Sequence, residues 1–236
     1  MELAPITLPR LALSFFPVAV VVLLMWRWSF GLGRPLYAIA RMLLQLTLVG
    51  FALVYVFQTK SGALISGVLA VMLVASSWVA LNTAERGRGS LFPASLASVM
   101  LGGGTTLLLI TQGVLRLEPW YEPSYMVPLA GMIFAASMTN ISLALERLRA
   151  ELANGVAFGQ ARDIAFRTSM IPVINSFFAV GLISLPGMMT GQILSGVSPL
   201  IAARYQIMVM CMIFGAAGLS TVCFLTMVRR IEEAAD

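Results

Sequence analysis

The sequence contains no histidine, a single lysine (Lys60) and only two cysteines, Cys211 and Cys223. The two cysteines lie in one apolar run and would face different directions on a helix, so neither a disulfide nor a paired thiolate site is expected. Without histidine, and without a cluster of cysteines and carboxylates, the sequence predicts no tight transition-metal site. Lys60 lacks the preceding glycines of a phosphate-binding loop, so no nucleotide site, no bound cofactor and no catalytic centre are predicted in this chain.

Charge is also scarce. Only 11% of the 236 residues are charged, 59% are hydrophobic, and the mean hydropathy is +0.93. A soluble domain is about a quarter charged, so this composition requires lipid as the solvent. It excludes cytosolic enzymes, secreted disulfide scaffolds and nucleic-acid binders. The net charge of +5 comes mainly from arginines placed singly between apolar runs, which is typical of charges that orient a membrane protein.

Seven apolar runs are long enough to cross a bilayer as helices, since a crossing takes about 20 residues. The predicted spans are Leu11–Trp26, Leu36–Phe57, Ala63–Leu81, Leu91–Leu115, Tyr125–Leu145, Thr168–Leu185 and Pro199–Val228. We therefore predict an all-α, polytopic membrane protein in which residues 1–236 form one transmembrane domain. There is no room for a separate soluble domain of ordinary size.

The basic residues predict the orientation of these helices. A cleavable signal carries its positive charge before the apolar stretch, whereas Glu2 and Arg10 precede the first run and Arg27 follows it, so this run is not predicted to be a cleavable signal. With the N-terminus outside, ten basic residues fall in cytoplasmic segments: Arg27, Arg34, Arg86, Arg88, Arg147, Arg149, Arg162, Arg167, Arg229 and Arg230. Four fall outside: Arg10, Lys60, Arg116 and Arg204. This bias predicts an outer N-terminus and a cytoplasmic C-terminus. We expect the membrane to be a cell membrane, the plasma or inner membrane of a bacterium.

Three polar residues within the spans are candidates for lining a pathway. Arg41 and Gln45 are one turn apart on the second span, so they share a face. Arg41 either faces a watery interior or extends its guanidinium to the cytoplasmic surface. Asn140 in the fifth span has four hydrogen-bonding sites, whereas nearby Ser142 is better explained as a helix–helix contact.

The longest predicted cytoplasmic loop, residues 146–167, contains a break at Asn154-Gly155 and then a short amphipathic helix. Phe158, Ala161, Ile164 and Ala165 fall on one face of this helix. Gln160, Arg162 and Asp163 point elsewhere. The apolar face predicts either a docked partner or a helix lying on the inner leaflet.

The sixth predicted span is interrupted at Leu185–Gln192, because Pro186, Gly187 and Gly191 cannot continue a regular helix. Met188, Met189, Thr190 and Gln192 would offer thioether and oxygen donors there. Broken helices at membrane depth often line substrate sites in transporters. The alternative is an ordinary extracellular hairpin.

The stretch VGLISLPGMMTGQILSGVSPLIAARYQIMVM (residues 180–210) resembles the signature of the FetB-like permeases, the membrane subunits of ABC-type metal exporters. That family includes plant permeases linked to aluminium tolerance. Further matches are RMLLQLTLVGFALVYVF (41–57), PLAGMI (128–133) and GQARDIAFRTSMIP (159–172). After PLAGMI, Ala135-Ala136-Ser137 replaces the Gly-Asn usual in the family, so no role for that asparagine is transferred.

The resemblance implies a permease that exports iron or another metal. It also implies a separate ATPase, which hydrolyses the ATP and docks on the 146–167 loop, and a second copy of the permease. The docking candidates are Phe158, Gln160, Ala161, Arg162, Asp163 and Ile164. An ion-coupled secondary transporter of a small solute is the alternative, because broken helices suit it equally well.

Overall fold

The computed structural model describes residues 7–29, 31–59, 61–84 and 87–232, and this part of the chain is helical, without strands. The helices are α1 (Leu8–Leu13), α2 (Phe15–Arg27), α3 (Gly33–Gln58), α4 (Gly62–Ala80), α5 (Arg88–Ser98), α6 (Thr105–Leu108), α7 (Pro123–Ala153), α8 (Phe158–Ala179), α9 (Gly187–Leu194) and α10 (Pro199–Glu232). Two π-helical segments, Val99–Gly104 (π1) and Leu109–Val114 (π2), flank α6. Lys60 and Arg86, which were assigned to loops from the sequence, lie outside the described residues.

Six helical segments in the described part are long and apolar enough to cross a membrane, as the sequence predicted for six of its seven spans. They are Leu8–Arg27, Gly33–Gln58, Gly62–Ala80, Arg88–Val114, Pro123–Ala153 and Pro199–Arg229. The remaining predicted span, Thr168–Leu185, corresponds to α8. Arg162, Asp163 and Arg167 occupy the first half of α8, so this helix lacks an uninterrupted apolar stretch of spanning length.

The chain divides into two compact units, residues 1–58 and 59–236. In the first unit, none of the described residues of α1, α2 and α3 is buried. The hydroxyl of Thr47 donates to the carbonyl of Leu43 (2.9 Å), which satisfies this polar group within its own helix.

In the second unit, α10 packs against α7, α8, α5 and π1. Its core includes fully buried large side chains from α4, α5, α7 and α10, among them Ile65, Leu91, Ile133 and Phe224. Small residues let the helices approach at the centre of this core. The Ser220 hydroxyl on α10 donates to the Ser137 hydroxyl on α7 (3.0 Å), an interhelical bond of the kind that joins helices in lipid.

Contacts near the two ends of α4 show the direction in which it runs relative to α7. Gly62 lies beside Tyr121, while the Thr83 hydroxyl lies 3.4 Å from the Ser142 carbonyl. Hence α4 and α7 run parallel.

Two further contacts show the direction in which α8 runs relative to α10. The guanidinium of Arg229 lies 5.8 Å from the ring centre of Phe158, and the rings of Phe177 and Phe214 lie 5.3 Å apart. The start of α8 is therefore beside the end of α10, and the two helices are antiparallel.

Candidate substrate site

A cavity of about 580 Å³ lies between α7, α8, α9 and α10 in the second unit. Its lining is mostly aliphatic and thioether, with methionines from three helices. The polar side chains in its wall are Thr139, Asn140, Ser176, Ser184 and Gln206. This volume is in the range of small-molecule sites, which are largely apolar with a few placed polar groups.

The cavity exists because α8 stops early. It ends at Ala179, six residues before the predicted end of its span, and the chain then turns through residues 180–186. Gly181 adopts φ +82°, and its N–H donates to the Ser184 carbonyl (2.9 Å). Pro186 then precedes α9 as its extended N-cap residue. The gap between the end of α8 and the start of α9 forms one side of the cavity.

The predicted position of the helix break was therefore wrong in part. Residues Gly187–Leu194 form α9 rather than an irregular segment, and the interruption lies at residues 180–186. Pro186 does end regular structure on its N-terminal side, but Gly187 begins a helix. The side-chain hydroxyl of Thr190 donates to the Pro186 carbonyl (3.1 Å), so the hydroxyl finds its partner within its own helix.

Two amide side chains in the cavity wall are deeply buried. Asn140 is 3% exposed, and its Nδ2 donates to the Ala136 carbonyl (3.1 Å), whereas its Oδ1 has no partner. Gln206 is 6% exposed, and its Oε1 also has no partner. Buried polar atoms are nearly always hydrogen-bonded in folded proteins. Both oxygens have almost no accessible surface, so they are buried acceptors for which the described residues supply no donor.

A second cavity of about 410 Å³ adjoins the first, because Val180, Gln206 and Met210 line both. Met189 and Cys211 complete this apolar space together with other α8 and α10 residues. Gln206 stands in the common wall and is the principal polar group between the two spaces.

The structure brings together several of the residues predicted to line the pathway. Asn140, Pro186, Gly187 and Met188 line the larger cavity, and Met189 lines the smaller one. Thr190, Gly191 and Gln192 line neither of the two. Their contact with a substrate stays a prediction.

Arg41 and Gln45 lie in the first unit, on α3, where both are exposed. Their shared face is one turn of a regular helix, as predicted. Whether they line a pathway remains a prediction from the sequence.

The predicted docking helix begins at Phe158, as expected, after α7 ends beside Asn154 and Gly155 turns the chain with φ +79°. However, it continues without a break to Ala179. Ala161 is fully buried in the second unit, with Ala165 beside it on the same face, so Ala161 is not available to a partner in this conformation.

Phe158 and Ile164 are half-buried, and Phe158 lies under Arg229. Most of the predicted apolar face is thus covered by the chain itself. The exposed candidates are Gln160, Arg162 and Asp163, and Arg162 pairs with Asp163 at 2.8 Å.

Sequence reasoning missed Gln206, together with Met132, Ser176 and Met210. Gln206 carried the same signal as Asn140, since it is a lone amide within an otherwise apolar span. Ser176 and the methionines carried no comparable signal, because hydroxyls and thioethers are common in the packed interior of helical membrane proteins.

Six long apolar helical segments in the described part of the chain define a multi-pass helical membrane protein. The chain matches the family described as Uncharacterised protein family (UPF0014) over residues 8–231. It belongs to this family and is a multi-pass protein of the cell membrane, and the similarity to a relative that is named a permease supports transport as its function. No solved structure matches the chain.

Three relatives indicate the breadth of the family. The UPF0014 membrane protein slr1647 of Synechocystis is 38% identical, with 90% of this chain and 88% of the relative covered. The probable iron export permease protein FetB of Escherichia coli is 31% identical, covering 94% and 91%. Protein ALUMINUM SENSITIVE 3 of Arabidopsis thaliana is 35% identical, covering 89% and 82%. The resemblance to FetB-like permeases inferred from residues 180–210 is confirmed.

Proposed function

We propose that this chain is the permease subunit of an ABC-type exporter of iron or another metal. The observation that carries the proposal is the similarity to a probable iron export permease, which extends over 94% of the chain. The cavity between α7, α8, α9 and α10 supplies a space in which a solute could be held during export.

The proposal includes seven crossings, with the N-terminus outside and the C-terminus in the cytoplasm. Both α7 and α10 are long and apolar, and α8 runs antiparallel to α10. If α7 and α10 each cross in the same direction, α8 must return the chain between them. This supports α8 with the following turn as the seventh crossing. Irregular backbone at membrane depth is tolerated where it lines a cavity, as residues 180–186 do here.

ATP hydrolysis is assigned to a separate ATPase subunit, and two permease copies would pair with two ATPases. The surface proposed for docking is formed by the end of α7 and the start of α8. At 31 residues, α7 is about 46 Å long, so it extends beyond a hydrocarbon core of about 30 Å. The exposed Gln160, Arg162 and Asp163 follow directly after the turn at its end.

The test is co-purification. The tagged chain, solubilised in mild detergent from its native membrane, should bring down an ATPase whose activity changes when the permease is present. Iron-loaded vesicles containing both proteins should then transport iron in an ATP-dependent manner. Transport that follows an ion gradient without any ATPase would instead identify a secondary transporter and overturn the proposal.

A paired variant localises the docking surface. The double variant Arg162→Ala/Asp163→Ala removes two exposed charges that bind each other, with side chains 44% and 61% exposed, so folding should be retained. We expect recovery of the ATPase to fall at least about fivefold. Arg204→Ala is the matched control. Arg204 is an exposed arginine near the start of α10, whereas the start of α8 lies beside the end of α10. This substitution should leave recovery of the ATPase unchanged.

A further inference from the structure

Sulfur is the most frequent side-chain metal ligand in the walls of the two cavities. Met132 on α7, Met188 on α9 and Met210 on α10 line the larger cavity. The smaller cavity shares Met210 and adds Met189 and Cys211. The four methionines are half-buried and Cys211 is exposed, so each of these side chains has accessible surface. Two adjoining cavities are therefore lined by sulfur-containing side chains from three helices.

The register of α7 and α10 places their methionines within reach of one ion. The short turn at residues 154–157 folds α8 back along α7, and α8 is antiparallel to α10, so α7 and α10 run parallel. The hydrogen bond between Ser137 and Ser220 sets their relative height. Met132 lies about 7.5 Å before Ser137, and Met210 lies about 15 Å before Ser220, at a rise of about 1.5 Å per residue. The remaining difference of about 7.5 Å can be spanned by two methionine side chains, because each is long and has three rotatable bonds.

The same walls lack the ligands that harder metal ions need. No carboxylate or imidazole lines either cavity, and the described residues contain no group of three or more histidine, cysteine, aspartate or glutamate side chains. The amide oxygens of Asn140 and Gln206 have almost no accessible surface. Carboxylate, carbonyl and water ligands suit Mg²⁺, Ca²⁺ and Mn²⁺, whereas thioethers and thiolates select Cu(I). The available ligands therefore favour a soft ion over a hard one.

The charge of the lining favours a monovalent ion. The side chains that line the larger cavity are all uncharged, so none of them neutralises a cation. The cost of moving an ion out of water rises with the square of its charge, so a divalent ion costs about four times as much as a monovalent ion of the same size. Cu(I) and its congener Ag(I) combine a single charge with a preference for sulfur.

We propose that Met132, Met188 and Met210 form a site for a soft monovalent cation, Cu(I) or Ag(I), in the larger cavity. Thioethers are neutral, so the ion binds and leaves without proton exchange. Met210 lies in the common wall and passes the ion to Met189 and Cys211 in the smaller cavity. Weak contacts in series suit a conduit better than one tight site. The inference rests on the proposed function, because it names the class of metal that this pathway takes.

The test measures Ag(I), which shares the ligand preferences of Cu(I) and is stable in air. The full-length permease carries Cys211→Ser and Cys223→Ser, so that no thiol competes, and is reconstituted without affinity tags in phosphatidylcholine nanodiscs. Binding of silver nitrate is measured by equilibrium dialysis in chloride-free buffer, with empty discs subtracted. The triple variant Met132→Leu/Met188→Leu/Met210→Leu keeps the side-chain volume but removes three sulfurs. We expect its dissociation constant for the tightest silver site to rise at least about tenfold.

The matched control is the triple variant Met72→Leu/Met138→Leu/Met208→Leu in the same background. These three methionines are also half-buried, but they line neither of the two cavities. The control should bind silver as tightly as the cysteine-free chain. Size-exclusion chromatography and thermal unfolding compare the folding of the two triple variants. Equal silver binding by both would overturn the inference, because methionine anywhere in the chain would then be sufficient.

X-ray absorption at the silver edge tests the site without altering any methionine. In the cysteine-free chain, bound silver should have sulfur neighbours, and an excess of Mn²⁺ or Zn²⁺ should not displace it. A shell of oxygen or nitrogen, displacement by either divalent ion, or no silver binding would overturn the inference. No ATPase takes part in these measurements. The soft-metal site can therefore fail while ATP-dependent export of iron stands, and a chain that binds no ATPase can still bind silver.

Discussion

At the scale of single residues, the second unit contains both a very close contact between helices and buried polar atoms that lack a hydrogen-bond partner. The small residues of π1 let α10 approach so closely that Gly102 leaves no space for a side chain. Asn140 on α7 and Gln206 on α10 each keep an amide oxygen without a hydrogen-bond partner, and both residues line the larger cavity. The sequence predicted Asn140 as a pathway residue because an amide in an apolar run has few other uses. The close approach at Gly102 was not predictable, because a run of glycines does not reveal which neighbour it faces.

The first residue-scale prediction concerns Gly102. A Cβ at this position would lie 2.3 Å from the backbone nitrogen of Ser220, and a backbone atom cannot move aside without shifting α10. We expect Gly102→Ala to lower the free energy of unfolding by about 1–3 kcal/mol or more.

The control is Gly104→Ala, since a Cβ there meets nothing within 4 Å. Alanine should be neutral or slightly stabilising at Gly104 because glycine is a poor helix former. Thermal unfolding in detergent, followed by size-exclusion chromatography, compares the two variants. Equal loss of stability in both would show that helix propensity, and not the contact with Ser220, governs this segment.

The second residue-scale prediction concerns Met188, which lines the larger cavity. Met188→Leu keeps the volume and apolar character of the side chain but removes the sulfur. If the Met188 thioether is apolar lining and does not bind a metal, export in vesicles should stay within about twofold of the unaltered chain. A large loss of export, with unchanged stability, would instead indicate direct coordination of a soft metal by sulfur.

At the scale of helices, the apolar runs predicted the positions of the long spans well, and their ends less well. The predicted span at Leu91–Leu115 matches the helical segment Arg88–Val114 closely. The first of its π-helical segments, π1, packs against α10, and neither π1 nor π2 carries a sequence signal. The greatest difference concerns α8, which joins the amphipathic segment and the membrane segment into one helix. The sequence predicted two separate segments that meet at Arg167, because the charged residues end there. Charged side chains do not, however, interrupt the backbone hydrogen bonds of a helix.

The element-scale prediction concerns the turn between α8 and α9. Gly181 has φ +82°, a conformation that costs a residue with a Cβ about 1–2 kcal/mol. Gly187, by contrast, lies at the start of α9 with open space around its Cα. We expect Gly181→Ala to lower the thermal stability of the protein and to reduce transport, whereas Gly187→Ala is tolerated.

The same pair of variants reports on which glycine supports the cavity. Both are assayed for unfolding temperature in detergent and for export in vesicles. A stable Gly181→Ala protein with full export would show that the cavity does not depend on this turn. A severe defect in Gly187→Ala would restore the sequence-based assignment of the break to Gly187.

At the scale of the whole molecule, composition alone predicted the class of protein. So few charges and so long a series of apolar runs permit only a helical membrane protein, and the family comparison agrees. The order of the helices also followed from the sequence. The sequence did not predict the cavity, because the cavity depends on where α8 ends relative to α10. Tertiary packing determines that position.

The whole-molecule prediction is the seven-crossing topology, tested by labelling single cysteines with a membrane-impermeant maleimide. In a background lacking Cys211 and Cys223, Ser195→Cys should react in intact cells, because Ser195 is exposed in the turn after α9. Asn154→Cys, exposed at the turn before α8, should react only after the membrane is permeabilised. Arg116→Cys and Arg162→Cys are labelled for comparison, since the distribution of basic residues predicts that they lie outside and inside, respectively. If residues 154 and 195 react from the same side, the chain does not cross between them, α8 lies within one leaflet, and the six apolar helices are all that cross the membrane.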